Sequence, residues 1–457
     1  MKRIPDTLVI VFFILCAMVL LTWIWPAGIF DVVKNSSGRD IVVSGSYHRV
    51  DASPVGLMGL LEAPFKGFVE AAKIIAFVLI VGGAFGWVMD SGAIDAGLVK
   101  LMSTLEGTKA GNSTVLIVLM VMFSICGFTF GMSEESLVFV LLTIPLALRM
   151  GYDVLVGVAI PFVTSGLGGA AAAYNPFSVG VAMEIAGIPF PSGVLERFIF
   201  WIVLTAVTIV FVLNYAKKIS LNPERSLMHG IAVPDSFQST HMEPWNAQRM
   251  LVILLFLFTL ILIPLGAMYL DWGVIQIGAV FFALGIVSAM IMGFSMERAV
   301  KSFTNGVSGM LTAALVIALS RSVLVVARDG QIIDTILNGL VSVLDGLPRV
   351  LCLEIMFVVQ GIINFFIPSG SGQAAITMPI MAPLGDLLGI SANQTVMAFQ
   401  LAAGYFDLII PTSGVTMGVL SIAGIPYKIW LRWMRNLMFI AVLIAFVGLA
   451  LMLIFNL

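Results

Sequence analysis

The sequence predicts an all-α polytopic membrane protein made of two inverted repeats, each with a re-entrant hairpin and a broken transmembrane helix. About 60% of the 457 residues are apolar and only 11% are charged, whereas soluble domains are typically about one quarter charged. Apolar segments near the roughly 20 residues that a spanning helix needs recur along the chain. Polar breaks interrupt four of them, and the order of elements repeats once.

Composition also excludes several classes of protein. The net charge is -2 and no basic run is present, so nucleic acid is not an expected partner. There is no phosphate-binding loop of the G-x-x-x-x-G-K-[ST] type, so the chain does not use ATP directly. A membrane enzyme is not predicted, and no cofactor other than a coupling ion is expected, because the histidines fall in loops and the cysteines are dispersed in apolar segments. These residues are His48, His229, His241, Cys16, Cys126 and Cys352.

The N-terminus precedes a long apolar run over residues 8–25, which we interpret as a first spanning helix and not as a cleaved signal peptide. Lys2 and Arg3 then place the N-terminus in the cytoplasm of a bacterial cell, with the chain in the inner membrane. The topology puts 14 Lys and Arg inside and 8 outside, with Arg321 in a span. This modest bias supports the orientation.

The first inverted repeat is predicted over residues 1–218. Its expected elements are a helix to about residue 29, an external loop at 31–51, an interfacial amphipathic stretch at 54–72, a helix at 74–88, a hairpin at 115–148 with its tip at 131–136, a helix at 154–188 broken at Gly166, Gly168, Gly169 and 174–176, and a helix at 198–215. The hairpin is interpreted as re-entrant because two full crossings would need about 40 residues plus a turn.

Residues 219–273 are predicted to form a cytoplasmic linker and a linking transmembrane helix, and residues 274–457 the second repeat. The expected elements are a helix at 275–294, an amphipathic stretch at 296–308, a helix at 311–327, a hairpin at 352–388 with its tip at 368–373, a helix at 395–422 broken at 411–414, a basic aromatic collar at 427–435 that anchors at the interface, and a helix at 437–455.

Short sequence matches support the repeat. Ala186-Gly-Ile-Pro189 recurs as Ala423-Gly-Ile-Pro426, and Thr143-Ile-Pro145 resembles Thr377-Met-Pro379, at offsets between 234 and 239 residues. The linking helix makes the second repeat inverted, so the two hairpin tips should meet near the membrane midplane. Broken helices at matching positions of inverted repeats indicate a secondary transporter and the place of its binding site.

The polar breaks resemble those of a known family. Gly131-Met-Ser-Glu-Glu-Ser136, Asn175-Pro-Phe-Ser178, Pro368-Ser-Gly-Ser-Gly-Gln373 and Ile410-Pro-Thr-Ser-Gly414 are similar to motifs of the YfcC-like branch of the C4-dicarboxylate anaerobic carrier family, within the ion transporter superfamily. The resemblance covers essentially the whole chain. It implies a homodimer with a scaffold at its axis and a transport domain that moves as an elevator. It also implies dicarboxylates or basic amino acids (arginine and ornithine) as substrates.

The breaks expose unpaired helix ends, where N-termini attract carboxylates and unwound carbonyls suit Na⁺. The predicted substrate- or ion-binding residues are Ser133, Glu134, Glu135, Ser136, Asn175, Ser178, Ser369, Ser371, Gln373, Asp407, Thr412 and Ser413, with a Na⁺ site near Asn175 and Thr412. A carboxylate at membrane depth is costly unless paired, protonated or ion-bound. The acidic residues therefore bind a cationic substrate, coordinate Na⁺ or carry H⁺, unless they pair with Arg321 or face cytoplasmic water.

No Lys or Arg occurs within the four breaks, so three carboxylates around the solute favour a positively charged substrate. We therefore expect a secondary active transporter, an exchanger or ion-coupled carrier, for a basic amino acid such as arginine or ornithine. Arg321 is the contrary observation, because it could contact a substrate carboxylate. The alternatives are a C4-dicarboxylate carrier coupled to Na⁺ or H⁺, a cation/proton antiporter, and a channel.

Overall fold

The computed structural model describes residues 7–34, 40–43, 45–94, 96–97, 100, 111–234, 237, 245–270, 272–341 and 347–455. The protein is a multi-pass helical membrane protein. Seven helices of the described chain are long and apolar enough to cross a bilayer, namely Ala72–Asp90, Gly111–Phe130, Val194–Leu221, Val274–Ile291, Met296–Asp329, Arg349–Phe366 and Tyr427–Ile454. Lys2 and Arg3, on which the orientation of the N-terminus depends, lie outside the described residues.

The described helices of the first half follow the predicted order. They are α1 (Thr7–Ile24), α2 (Leu57–Glu70), α3 (Ala72–Asp90), α4 (Gly111–Phe130), α5 (Ser136–Arg149), α6 (Val154–Ala170), α7 (Val181–Ile185) and α8 (Val194–Leu221). A π-helical turn, Pro176–Gly180, leads into α7. The two arms of the first predicted hairpin are α4 and α5, and the first broken helix consists of α6 and α7.

Nine further helices are described in the second half of the chain. They are α9 (Ala247–Tyr269), α10 (Val274–Ile291), α11 (Met296–Asp329), α12 (Ile333–Val341), α13 (Arg349–Phe366), α14 (Gly370–Leu387), α15 (Ala392–Asp407), α16 (Gly414–Ala423) and α17 (Tyr427–Ile454). The arms of the second predicted hairpin are α13 and α14, and the second broken helix consists of α15 and α16.

The loop predicted after the first helix contains two short antiparallel ribbons. They pair β1 (Gly28–Ile29) with β4 (His48–Arg49) and β2 (Val32–Lys34) with β3 (Asp40–Val42). The β-branched residues of this segment favour extended backbone, a signal that the polar composition obscured. The Phe30 amide donates to Asp334 at 3.0 Å, which ties the segment to α12.

The amphipathic stretch and the helix predicted at 296–327 are one continuous helix, α11, of 34 residues. It is about 51 Å long at 1.5 Å per residue. Two residues of its amphipathic part, Ser302 and Gly306, pack against α3. Ser302 donates to the Gly86 carbonyl at 2.8 Å, and a Cβ at Gly306 would overlap the Gly82 carbonyl. The polar part of α11 therefore belongs to the packed helix.

The prediction that the collar at 427–435 anchors at the membrane interface is wrong for its two tryptophans. Trp430 and Trp433 are buried at 0% and 4% exposure, and both belong to the continuous helix α17. The Trp430 indole donates to the Leu408 carbonyl at 2.8 Å, just beyond the end of α15. The basic residues of the segment, Lys428, Arg432 and Arg435, are exposed.

The first broken helix does not break at its glycines. Helix α6 continues through Gly166 and Gly168, and the chain leaves the helix only over residues 171–175. These glycines serve helix packing, because a Cβ at Gly168 would overlap the Ser124 carbonyl and one at Gly166 would lie 2.5 Å from the Leu408 side chain. Small residues let helices approach closely in membranes.

Helices α6 and α15 form the centre of the fold. Most of their side chains are buried, and a Cβ on Gly404 would overlap Ala170, which marks a close crossing of the two. Gln400 adds a hydrogen bond across this crossing, donating to the Gly169 carbonyl at 2.6 Å. The crossing brings the two helix breaks to the same region of the molecule.

Candidate solute-binding site

A cavity of about 400 Å³ lies where the two hairpin tips and the two broken helices meet. Ten of the twelve predicted site residues line it: Ser133, Glu134, Glu135, Asn175, Ser178, Ser369, Ser371, Asp407, Thr412 and Ser413. Segments far apart in sequence thus contribute to one concave polar surface, as expected for a solute site in a helical transporter. The volume suits a small organic molecule.

The first tip contacts the first helix break directly. Gly131 has φ +75°, and a Cβ there would overlap the Asn175 amide. Asn175 caps the following turn, since its Oδ1 accepts from the amides of Phe177 at 2.9 Å and Ser178 at 3.3 Å, and its Nδ2 donates to the Ser178 hydroxyl at 2.8 Å. A glycine is required at the tip because the backbone is left-handed and the neighbouring amide is in contact.

The second tip and second break are held in a similar way. The Ser369 hydroxyl accepts from the Gly372 amide at 3.4 Å and the Ser413 hydroxyl from the Thr416 amide at 3.3 Å, so both serines cap helices that begin at the cavity. Thr412 donates to the Phe365 carbonyl at 2.6 Å, which joins this break to the end of α13. A Cβ at Gly370 would lie 2.7 Å from Ser178, so the second tip also contacts the first break.

The structure places Ser136 and Gln373 outside the cavity lining. Both are fully buried. The Ser136 hydroxyl lies 3.3 Å from that of Ser165. Gln373 donates to the Gln360 carbonyl at 2.8 Å and accepts from Asn364 at 2.9 Å. These contacts join the arms of the hairpins to their neighbours and leave both side chains engaged with protein.

Three carboxylates line the cavity together. Glu134 interacts electrostatically with Glu135 and Asp407. The Glu135 carboxylate accepts from the Ser133 amide at 3.2 Å, so it also shapes the tip. Within the described residues no Lys or Arg nitrogen lies within 4 Å of these three side chains; the ion pair of Arg321 is with Glu70 at 3.5 Å. No Lys or Arg therefore forms a direct ion pair with these acidic groups among the described residues, although Arg321 interacts electrostatically with Glu134 from a longer distance.

The family follows from comparison with known proteins. The model of the C4-dicarboxylate anaerobic carrier family matches residues 4–454. The chain belongs to this family. An Escherichia coli K12 relative named "Putative basic amino acid antiporter YfcC" is 32% identical over 98% of this chain and 96% of its own. A Haemophilus influenzae relative called "Uncharacterized protein" is 30% identical over 86% of this chain and 78% of its own.

Two solved transporter structures also align along most of the carrier. The Alcanivorax borkumensis YdaH transporter covers 99% of both chains at 16% identity and a TM-score of 0.44. Neisseria gonorrhoeae MtrF, described as illuminating a class of antimetabolite efflux pumps, covers 98% of this chain and 95% of its own at 17% identity and a TM-score of 0.43.

The side chains at the predicted Na⁺ site already form hydrogen bonds within the protein. Oδ1 of Asn175 already accepts two backbone hydrogen bonds, and the Thr412 hydroxyl donates to a carbonyl. In the part of the chain that the structure describes, no group of three His, Cys, Asp or Glu is placed to hold a metal ion. The Thr412 oxygen keeps its lone pairs when it donates its proton, whereas Asn175 Oδ1 is already engaged by two amides, and the Na⁺ site near these residues stays a prediction.

Residues missed by the sequence analysis hold the carbonyls at the breaks. The buried Arg197 of α8 donates to the Ala172 carbonyl at 3.1 Å, within the first break. At the second break Trp430 donates to Leu408, and Tyr427 donates to the Ile409 carbonyl at 2.6 Å. Helix ends leave carbonyls without partners, and these side chains satisfy some of them. A lone arginine in an apolar helix was the available signal for Arg197.

Gly131→Ala should destabilise the carrier more than Gly151→Ala. Both glycines are left-handed, at φ +75° and +80°, so each alanine costs about 1–2 kcal/mol in backbone strain. Only at Gly131 does the new Cβ meet a neighbour; nothing lies within 4 Å at Gly151. The thermal midpoint of detergent-solubilised Gly131→Ala should fall at least about 2 °C further. Equal midpoints would show that the tip shifts away from Asn175 and makes room for the new methyl group.

Proposed function

We propose that the carrier exchanges basic amino acids such as arginine and ornithine across the bacterial inner membrane, with Glu134, Glu135 and Asp407 neutralising the positive charge of the solute. One observation carries the proposal: these carboxylates line one cavity, and the basic residue that lines it with them, Arg321, is ion-paired with Glu70. Carboxylates at membrane depth need a counter-charge. A cationic substrate supplies it when it binds.

The ends of the solute are then recognised by different chemistry. The guanidinium or ammonium group lies at the carboxylates, where charge-assisted hydrogen bonds are strong. The E. coli relative's name, a basic amino acid antiporter, agrees with such a substrate. Exchange follows because a site with unneutralised carboxylates crosses the membrane poorly, so the carrier returns only with a second cation. H⁺ or Na⁺ would serve as that cation in a coupled cycle.

The proposed mechanism is an elevator in a homodimer. Residues 1–218 and 274–457 form the inverted repeats, joined by the linker and linking helix at 219–273. In support, residues 57–90, which form α2 and α3, and α11 both span 34 positions, and α8 and α17 both span 28. The hairpins and broken helices move together against a scaffold at the dimer axis. The N-terminus is proposed to lie in the cytoplasm.

A C4-dicarboxylate carrier coupled to Na⁺ or H⁺ is the second candidate. It is favoured by the helices that begin at the cavity, with Ser369 and Ser413 at their caps, because helix N-termini attract carboxylates. The name of the family points the same way. A cation/proton antiporter would move protons without solute, and a channel would give single-channel currents.

The deciding experiment is uptake into proteoliposomes preloaded with arginine, ornithine or succinate, with labelled arginine and labelled succinate offered in turn. The proposal expects arginine uptake only into vesicles that contain arginine or ornithine. Succinate uptake without arginine uptake contradicts it and supports the dicarboxylate carrier. Vesicles without protein correct for leakage, and solute-free proton movement driven by Na⁺ tests the antiporter.

A further inference from the structure

A group of charged side chains joins α2 to α11 beside the cavity, and none of its members forms an ion pair with the three carboxylates of the proposed cation site. Glu70 forms ion pairs with Arg321 at 3.5 Å and with Arg328. Next to it, Lys66 forms an ion pair with Asp329 at 3.0 Å. Of the described residues in this group, Arg321 alone lines the cavity. Its position between the ion pairs and the cavity suggests a role in binding.

Helix packing fixes where Arg321 lies. A Cβ at Gly67 would overlap the Ala318 carbonyl, so α2 and α11 touch one helical turn before Glu70. On the other side, Ile317 of α11 lies 3.4 Å from a Cβ built on Gly414, the first residue of α16. Arg321 follows Ile317 by four residues and therefore shares its face of the helix. The arginine is held beside the second break.

The guanidinium of Arg321 is only partly used by protein. Its Nε makes no hydrogen bond among the described residues, and its contact with Glu70 is a 3.5 Å ion pair. Glu70 is shared with Arg328. The side chain is 32% exposed, and a guanidinium carries five N–H donors in a planar fork that matches a carboxylate. Donors remain for a ligand in the cavity.

The helix N-termini at the cavity are less available for this purpose. Ser369, Ser413 and Asn175 already accept hydrogen bonds from first-turn amides of their own helices. In the described lining of the cavity, Arg321 is the one Lys or Arg side chain. Among the groups present it can form the strongest contact with an anionic end of the solute, through a bidentate charge-assisted pair.

We propose that Arg321, positioned by Glu70, is the carboxylate subsite of the carrier. The inference rests on the proposed function and narrows it, because the solute must carry a carboxylate as well as a cationic end. Amino acids then bind, and amines that lack the carboxylate are rejected. Rejection arises because such an amine leaves the cavity-facing donors of the guanidinium without the carboxylate that pairs with them.

The test compares binding of arginine and agmatine, which is arginine without its α-carboxylate, by titration calorimetry on the purified full-length carrier. We expect wild type to prefer arginine by about 100-fold, equivalent to about 2.7 kcal/mol. Arg321→Gln should reduce this preference to near unity, because arginine binding weakens while agmatine binding is retained. Retained agmatine binding also shows that the variant is folded.

Arg328→Gln is the matched control, because Arg328 pairs with the same Glu70 but does not line the cavity; its preference should stay near that of wild type. Glu70→Gln should reduce the preference in part, as expected for a positioning residue. If Arg321→Gln does not fold, Arg321→Lys keeps the charge but not the fork, and an intermediate preference is expected.

Two results would overturn the inference alone. The first is a wild type that binds arginine and agmatine equally. The second is an Arg321→Gln variant, or Arg321→Lys if the glutamine variant does not fold, that retains the full preference for arginine. Arg321 would then serve only to dock α2 on α11. A wild type that binds neither compound contradicts the proposed function itself, and the carboxylate subsite falls with it. The experiment therefore separates failure of this inference from failure of the function on which it rests.

Discussion

Glu134→Gln should lower basic amino acid exchange by about 100-fold while the protein remains folded. Glu134 lines the cavity and interacts electrostatically with Asp407, so it contributes to the acidic surface that meets the cation. Removing one partner of a buried hydrogen-bonded charge pair typically costs 2–5 kcal/mol, and about 2.7 kcal/mol corresponds to 100-fold. The amide keeps the size of the side chain, so the tip retains its shape.

The measurement is labelled arginine uptake into arginine-loaded proteoliposomes at equal protein content, with folding checked by size-exclusion chromatography. Glu224→Gln is the matched control, because this glutamate is exposed and lies outside the cavity; its uptake should equal that of wild type. Uptake is repeated across pH and Na⁺ concentration, since loss of an ion-carrying group changes ion dependence. Normal uptake with unchanged ion dependence would remove Glu134 from both roles.

Asp407→Asn tests the same surface from the second break. Asp407 ends α15, and its carboxylate interacts with the Ser413 hydroxyl. Its loss should impair exchange as Glu134→Gln does. The double variant should lose less binding free energy than the two single variants together, because the effects of groups that hold one cation are not additive. Fully additive effects would mean that the two carboxylates act on separate ligands.

The helix breaks could be predicted because they depend on local chemistry. Pro176, Ser369 and Ser413 stand where helices begin, and proline and hydroxyl side chains favour such positions whatever surrounds them. The breaks were then expected to lie together, because polar groups at membrane depth require hydrogen-bonding partners in the protein or in a ligand. Ten predicted residues consequently line one cavity.

The rotation of each helix could not be predicted in the same way. Ser136 and Gln373 belong to the same polar motifs as their neighbours, yet they point into packed protein. Successive side chains of an α-helix are rotated by about 100° around the helix axis, so adjacent polar residues face different surroundings. Periodicity does not identify the inward side when every face of a helix is apolar.

Contacts between distant segments were also beyond the sequence. Trp430 resembled a lipid-facing anchor, because aromatic and basic residues mix in its segment. Its partner is the Leu408 carbonyl, whose need for a donor arises only because the chain leaves the helix there. Arg197 and Ala172 are a similar case. Such pairs require the tertiary structure, since neither partner reveals the other.

Ser371→Trp should abolish exchange by filling the cavity, with uptake reduced by about 100-fold. Ser371 is exposed on the second tip and lines the cavity of about 400 Å³. It is not the capping residue of its helix, because Ser369 has that role. An indole at this position can therefore enter the space of the solute without removing a contact that holds the fold, and the loss should appear in binding as well as in transport.

Ser371→Ala separates steric block from loss of the hydroxyl. If the hydroxyl itself binds the solute, alanine removes one hydrogen bond worth about 1 kcal/mol, and uptake falls about fivefold. Tryptophan blocks uptake whether or not the hydroxyl binds the solute. Thermal midpoints near that of wild type for both variants would show that folding is intact. A tryptophan variant that transports at the wild-type rate would mean that the solute does not pass the second tip, and the binding site would then have to lie among the first tip and the two broken helices alone.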